Sequence, residues 1–270
     1  MTRTVSLSAT VIPERTSRLA QMTGLSADTL LAGQQRVLDL MARGAPLRET
    51  LTAIARFSED TIPDMLASVL TYDPDAGSLH KGGYGRLPDS FANAIDGMKP
   101  GPVMGSCGTA AYLGERVITT DVQTDPLWAP FKDFVAGYGI VSAWSTPLKD
   151  AQGNLLGVFG MYYGDCRSPS PDDLAVVDRF VHLASIAIER HRVDRDREHQ
   201  ATHDTLTGLG NRLMLQNFAA NLMADSGRAP LPHTLALLDL DHFKLHNDTL
   251  GQRAADRLLF AEGSALHGLQ

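Results

Sequence analysis

The sequence predicts a mixed α+β or α/β protein: an antiparallel sheet with flanking helices, a long helix leading out of it, and a smaller, incomplete βα domain at the end. Three observations carry this. Two β-prone pairs are each joined by turn-forming residues, a helical stretch after SPSPDD runs on without Gly or Pro, and an apolar run ending in alternating carboxylates stands near the C-terminus. With 270 residues, 43% hydrophobic and 20% charged, the chain has the composition of an ordinary globular protein with room for two domains.

Residues 1–30 are rich in Ser, Thr and Arg without a clean period and read as a mobile leader or a short helix. From Leu31 the pattern becomes helical, and Leu47, Leu51, Ile54 and Ser58 give one mostly apolar face that ends before Pro63, as a helix packed on a sheet requires. The segment MLASVLTYD from Met65 is β-prone and is closed by DPDAG, where Pro supplies φ and Gly a positive φ, so a second strand through Leu79 follows. VSAWSTPL from Val141 and LLGVFGMYYG from Leu155 flank DAQGN and predict two central antiparallel strands.

After SPSPDD, with Asp172 or Asp173 at the helix start, the long helix carries Leu174, Val177, Val181, Ala184, Ile188 and His191 at alternating steps of three and four, the spacing of a coiled-coil seam. The same seam turns polar at Arg195 and Glu198. A solvated helix and a dimerising one both fit. Either way the domains expected are 31–190, a helical linker 191–203, and 204–270; the dimerising reading gives a homodimer through helix 174–190.

A formal charge of −7, a pI near 5.7 and singly scattered Lys and Arg argue against nucleic acid as a partner. Cys107 and Cys166 are too few for a disulfide framework and lack any Cys-x-x-Cys spacing, which suits a reducing, cytoplasmic setting. No signal-peptide core is present, and no window approaches the roughly 18 apolar residues of a membrane span.

The order of elements from 31 to 190, with the stretches GSCGTAAYLGERVITTDVQTDPLW and SAWSTPLKDAQGNLLGVFGMYY, resembles a GAF sensor domain of the kind that precedes cyclic di-GMP enzymes. The resemblance implies a ligand pocket between the sheet and the loops around GSCG, near Cys107, Thr109, Asp121, Trp128 and Trp144. Read from the residues alone, Gly105 and Gly108 permit a tight turn, Cys107 is a small buried hydrophobe, and Trp144 is core packing. Bilin attachment is disfavoured because Cys107 precedes Gly108 and Cys166 precedes Arg167, whereas the pigment cysteine is usually followed by His. The Asn-Lys signature of cyclic-nucleotide binders is missing too, so the sensor ligand stays unnamed.

Near the C-terminus LALLDLD reads as an apolar strand, and Asp239 and Asp241, two apart, fall on one face of its end. Hard Mg²⁺ takes oxygen ligands, and carboxylates at a strand end leave room for a triphosphate. His242 and His246 share a zinc-like spacing, but in a loop beside such carboxylates they read as solvated. Together DTLTGLGNRLML and LALLDLDHFKLHNDTLGQRAADRLL closely resemble the start of a GGDEF domain, the family that joins two GTP molecules into cyclic di-GMP. The resemblance implies Mg²⁺ held by Asp239 and the Leu240 carbonyl, Lys244 on phosphate, and Asn247 and Asp256 reading guanine. Asn211 and Arg212 should begin a helix whose Leu213, Leu215 and Phe218 pack on the coming sheet.

Two departures stand out. GQRAAD replaces the family's usual GHxxGD, so Ala255 adds a methyl group where backbone approaches closely. The glycine-glycine-acidic hairpin, which supplies a second metal carboxylate, does not occur before Gln270. The reading is therefore a GAF sensor with a truncated, inactive cyclase remnant that is marginally stable by itself. The alternatives are the N-terminal module of an active cyclase or cyclase–phosphodiesterase, using GTP, and a non-enzymatic regulatory partner.

Overall fold

The computed structural model describes residues 27–225 and 234–267. They fall into two compact units that divide between His191 and Arg192. The first unit begins with helices α1 (Ala27–Ala42) and α2 (Leu47–Thr61), then the strand pair β1 (Leu66–Asp73) and β2 (Ser78–Tyr84). Short helices α3 (Asp89–Ala94) and α4 (Gly105–Leu113), strand β3 (Val117–Thr119), a 3₁₀ turn (Pro126–Trp128) and α5 (Lys132–Ala136) follow. Strands β4 (Ser142–Lys149) and β5 (Leu155–Tyr163) lead into the long helix α6 (Pro171–Thr202). The expected leader lies largely outside the described residues, and α1 starts ahead of Leu31.

All strand pairings are antiparallel, in the order β2-β1-β5-β4-β3. Strand β5 is thus central and β4 its neighbour, as the sequence predicts. The turns form with the anticipated chemistry. Asp73 Oδ1 accepts the N–H groups of Asp75 and Ala76 before Gly77 at φ 62°, and Asp150 Oδ1 accepts those of Gln152 and Asn154 around Gly153 at φ 87°. Gly157 permits close strand approach, because a Cβ there would lie 2.0 Å from the Leu70 carbonyl oxygen on β1.

Period-two alternation along β5 divides the core between two faces. Phe159, Met161 and Tyr163 join Leu51 and Ile54 of α2 and Val177, Phe180, Ala184 and Ile188 of α6 in one cluster. Val158 and Tyr162 face the other, with Phe91, Cys107, Trp128 and Val135. Helix α6 starts with a capping box rather than at Asp172: Ser170 Oγ accepts the Asp173 N–H at 3.2 Å, and Asp173 Oδ2 accepts the Ser170 N–H at 2.8 Å.

The expected dimer seam is corrected here. Val177, Ala184 and Ile188 are at most 1% exposed, because α6 lays that stripe on its own sheet. Burying a Val or Ile side chain gains roughly 1.5–3 kcal/mol, and these residues gain it within the domain. The large apolar residues left exposed on the helix are Ile186 and Val193.

In the second unit, α6 ends at Thr202 and α7 (Arg212–Asp225), α8 (Phe243–Leu250) and α9 (Gln252–His267) follow. The strand expected over LALLDLD does not form. Residues 234–240 are irregular, with Leu235, Leu237 and Leu238 between 74% and 96% exposed. A strand needs a neighbour for its backbone groups, and no other strand is present among the described residues of this unit. Leu213, Leu215 and Phe218 are exposed, with no sheet among the described residues of this unit for α7 to cover.

Candidate functional site

Helices α3, α4 and α5 and the 3₁₀ turn cover the second face of the sheet, and between them lies a cavity of about 360 Å³. Phe91 of α3, Trp128 of the turn, Phe134 and Val135 of α5 and Tyr162 of β5 form most of its wall. Met104 and Cys107 close it at the start of α4, and Ala94, exposed to solvent, stands at its mouth. No lining residue is charged. The aromatic side is internally braced: Phe91 stacks on Phe134 at 5.6 Å and meets Tyr162 and Tyr138 edge-on at 5.3 and 5.2 Å.

Local chemistry sets these walls. Asp125 caps the 3₁₀ turn by accepting the Leu127 N–H at 2.9 Å, and Trp128 is oriented by donating from Nε1 to Thr119 Oγ1 at 3.2 Å. Gly105 opens α4 at φ 59°, and a Cβ there would lie 3.3 Å from the Trp128 ring. The GSCG segment is therefore the first turn of a helix, where a loop was expected. Only Gly105 serves the turn; Gly108 lies inside the helix, where a Cβ would come within 2.5 Å of Met104 Cβ.

Beneath the cavity a chain of neutral polar groups crosses the sheet. Ser68 Oγ and Tyr162 OH are 3.1 Å apart, Tyr162 OH and Cys107 Sγ 3.3 Å, Cys107 Sγ and Ser145 Oγ 3.1 Å, and Ser145 donates to Ser106 Oγ at 3.0 Å. Since the Ser145 hydrogen is used on Ser106, the Cys107 thiol donates to Ser145, Tyr162 to the sulfur and Ser68 to Tyr162. Burial pushes the Cys107 thiol up, against the opposing bonds from Ser145 and Tyr162, and pushes the Tyr162 phenol well up, with Cys107 adding to it. Both stay protonated at neutral pH. Gly160 leaves room for the chain, because a Cβ there would meet Ser68 Oγ, Tyr162 OH and Cys107 Sγ within 2.9 Å.

Of the five sensor residues singled out from the sequence, Cys107 and Trp128 line the cavity. The other three do not. Thr109 is buried, and its Oγ1 accepts the Met104 N–H at 3.2 Å, which fixes the entry to α4. Asp121 organises a turn by accepting the Gln123 N–H at 2.9 Å and the Thr124 hydroxyl at 3.1 Å. Trp144 lies on the opposite face, 4.6 Å from the Tyr163 ring, and donates to the Arg167 carbonyl at 3.3 Å. Sequence reasoning passed over Phe91, Phe134 and Tyr162. The alternation in GVFGMYY, which sends Tyr162 and Tyr163 to opposite faces, could have found the last. A larger groove of about 900 Å³ between α1 and α2 is lined by mixed charges, among them the pair Arg43–Glu49 at 2.5 Å, and lacks the aromatic lining of the first.

In the second unit DTLTGLGNR is a closed turn. Asp204 Oδ1 accepts the N–H groups of Leu206 and Thr207 and the Thr207 hydroxyl, which holds its carboxyl below the usual range. Asn211 caps α7 by accepting the Leu213 and Met214 N–H groups at 2.9 and 3.1 Å, and its amide donates to the Ala201 carbonyl of α6 at 2.8 Å. Asp239 is exposed and Leu240 half-buried on the irregular segment, Lys244 and Asn247 are exposed on α8, and Asp256 sits on α9 beside buried Ala255. His246 lies within α8, not in a loop; His242 precedes it at φ 58°. No group of three His, Cys, Asp or Glu among the described residues could hold a metal ion. As placed, Asp239 and the Leu240 carbonyl do not form a preassembled Mg²⁺ site, which needs near-octahedral oxygen ligation.

Comparison with known proteins agrees with this division. The GAF domain family model matches residues 44–189, more than half of the chain, and the model for the diguanylate cyclase GGDEF domain matches residues 201–269. The methyl sulfide methyltransferase-associated sensor of Methanosarcina acetivorans is 32% identical over 163 residues, which is 60% of this chain and 16% of that protein. The diguanylate cyclase DgcP of Escherichia coli is 30% identical over 139 residues, 49% of this chain and 41% of that one. The chain thus spans less than half the length of either relative. Among solved structures, the GAF domain of a phosphoenolpyruvate-protein phosphotransferase from Coxiella burnetii aligns with a TM-score of 0.51 at 17% identity, over 62% of this chain and 97% of that one. Free methionine-R-sulfoxide reductase from Neisseria meningitidis aligns at 0.50 and 15% identity, over 72% of this chain and 99% of that one. Both likenesses concern the fold. The chain belongs to the GAF domain family, and its GAF domain is followed by a GGDEF domain.

Proposed function

We propose that this protein acts in cyclic di-GMP signalling, its GAF domain sensing a small molecule and its GGDEF segment belonging to the output. The observation that carries the reading is the aromatic, uncharged cavity of about 360 Å³ in the GAF domain, upstream of a segment matched to the cyclase family. Helix α6, 32 residues without interruption, leaves the sensor core at Ile188 and ends at the Asp204–Asn211 turn. A shift of α6 would therefore be carried to the base of α7 through the Asn211–Ala201 bond.

By the family pattern, Mg²⁺ would orient and neutralise the GTP phosphates, held by Asp239 and the Leu240 carbonyl. Lys244 would meet phosphate, and Asn247 and Asp256 the guanine edge. These residues would bind substrate but cannot by themselves complete the metal shell. We place the protein in the cytoplasm, where GTP is found. Among the described residues no helix is long and apolar enough to cross a membrane. A homodimer pairing α6 would use Ile186 and Val193, seven residues apart and both exposed.

The test is a fusion of residues 27–211 to an intact GGDEF domain, with cyclic di-GMP formation measured for the parent and for Val135→Phe, which fills the cavity. The two rates should differ severalfold. Equal rates from two folded fusions would refute the sensor assignment.

A further inference from the structure

From the lining of the GAF cavity we infer that its ligand is an uncharged, mainly apolar molecule of one or two rings carrying a single hydrogen-bond acceptor. This rests on the sensor reading above and adds the chemical class of the ligand. About 360 Å³ is near the lower end of the roughly 300–1,000 Å³ that small-molecule pockets span, so the occupant is compact.

Charge is excluded by what the wall lacks. Phe91, Met104, Trp128, Phe134 and Tyr162 offer ring faces and a thioether, and no Lys, Arg, His, Asp or Glu lines the space. An ion taken from water into such a wall would lose its hydration with nothing to replace it. Flat rings suit the lining, because offset and edge-on contacts to Phe91, Trp128 and Phe134 are available.

The acceptor is set by the polar chain. Trp128 Nε1 is already used on Thr119, which leaves Cys107 and Tyr162 as the lining side chains with hydroxyl or thiol hydrogens. Tyr162 spends its hydrogen on the Cys107 sulfur at 3.3 Å, a weak acceptor. A ligand carbonyl or ether oxygen would be a stronger one. Rotation of that hydroxyl toward the ligand would release the Cys107–Ser145–Ser106 chain from Tyr162, so occupancy would be felt at β4 and at the start of α4.

The test uses the full 270-residue chain and three probes: benzophenone, biphenyl and 4-benzoylbenzoate. Trp128 lines the cavity and Trp144 packs on the opposite face, so a change in intrinsic fluorescence that survives Trp144→Phe reports the cavity. Benzophenone should bind at least tenfold more tightly than the carboxylate. Tyr162→Phe should weaken benzophenone severalfold and leave biphenyl unchanged. Ala94→Phe, at the exposed mouth where folding is least at risk, should weaken both. Tighter binding of 4-benzoylbenzoate, or no binding of either neutral probe, would overturn the ligand class while leaving the sensor reading to the fusion assay. Neutral binding that leaves the output of the fusion unchanged would support the ligand class and overturn the sensor reading.

Discussion

Replacing Glu59 separates hydrogen bonding from charge at a buried carboxylate. Its side chain is 0% exposed at the end of α2, and Oε1 accepts the N–H groups of Ala67 at 2.8 Å and Arg86 at 2.9 Å, tying α2 to the start of β1 and the end of β2. Oε2 has no hydrogen-bond partner, and the charged groups near it are Arg86, with Nε at 3.9 Å, and Asp60, itself bonded to Arg86 at 2.5 Å. Glu59→Ala leaves the Ala67 N–H buried and unpaired and the Arg86 N–H partly so. At about 1–3 kcal/mol per buried orphan, the loss should be about 2–4 kcal/mol. Glu59→Gln keeps the accepting oxygen and should unfold near the wild type at low pH.

The pH dependence then has a definite sign. Burial raises the Glu59 pKa above its ordinary value of 4.5, against the bonds from Arg86 and Ala67. In the window from that value up to the raised one, the folded state holds a proton the unfolded state has lost, so wild-type stability falls as pH rises. Urea titrations at several pH values should show the difference between wild type and Glu59→Gln, which lacks this group, moving against the wild type across that window and then levelling. A difference that stays constant, or moves the other way, refutes the burial argument.

Three further outcomes are expected. Native protein treated with a charged thiol reagent should label exposed Cys166 rapidly and Cys107 far more slowly, because Cys107 is buried in an uncharged cavity wall with its thiol pushed up; mass spectrometry of the labelled peptides decides this. Asn211→Ala should cost about 1 kcal/mol locally and speed amide exchange at Leu213 and Met214, whose N–H groups it caps. Ile186→Glu with Val193→Glu should abolish a dimer in sedimentation without lowering the melting temperature of the GAF domain, whereas a dimer that persists would move the contact off α6.

Much of the fold was legible because local rules and tertiary packing agree there. The 4-3-4 spacing of Leu47, Leu51, Ile54 and Ser58, the DPDAG and DAQGN turns, and the alternation along β5 each point one way. Where they failed, one pattern served two structures. Steps of three and four along α6 suit a coiled coil and a sheet alike, and only the presence of the sheet decided. GSCG reads as a turn because Gly disfavours helix, yet Gly108 is needed inside α4 for contact with Met104. Trp144 was grouped with Trp128, but it stands one residue out of step with Ala143 and Ser145, which places it on the other face. LALLDLD has strand composition and, among the described residues, no strand beside it; pairing is a property of neighbours, which a single segment does not encode.

The most direct measurement is amide hydrogen exchange of the 270-residue chain with and without benzophenone. Slower exchange is expected in α3, α4 and β5 around the cavity, together with an altered rate along α6 as far as the Asp204–Asn211 turn. Protection confined to the cavity walls, with α6 unchanged from Ile188 to Thr202, would contradict the claim that this cavity speaks to the GGDEF segment.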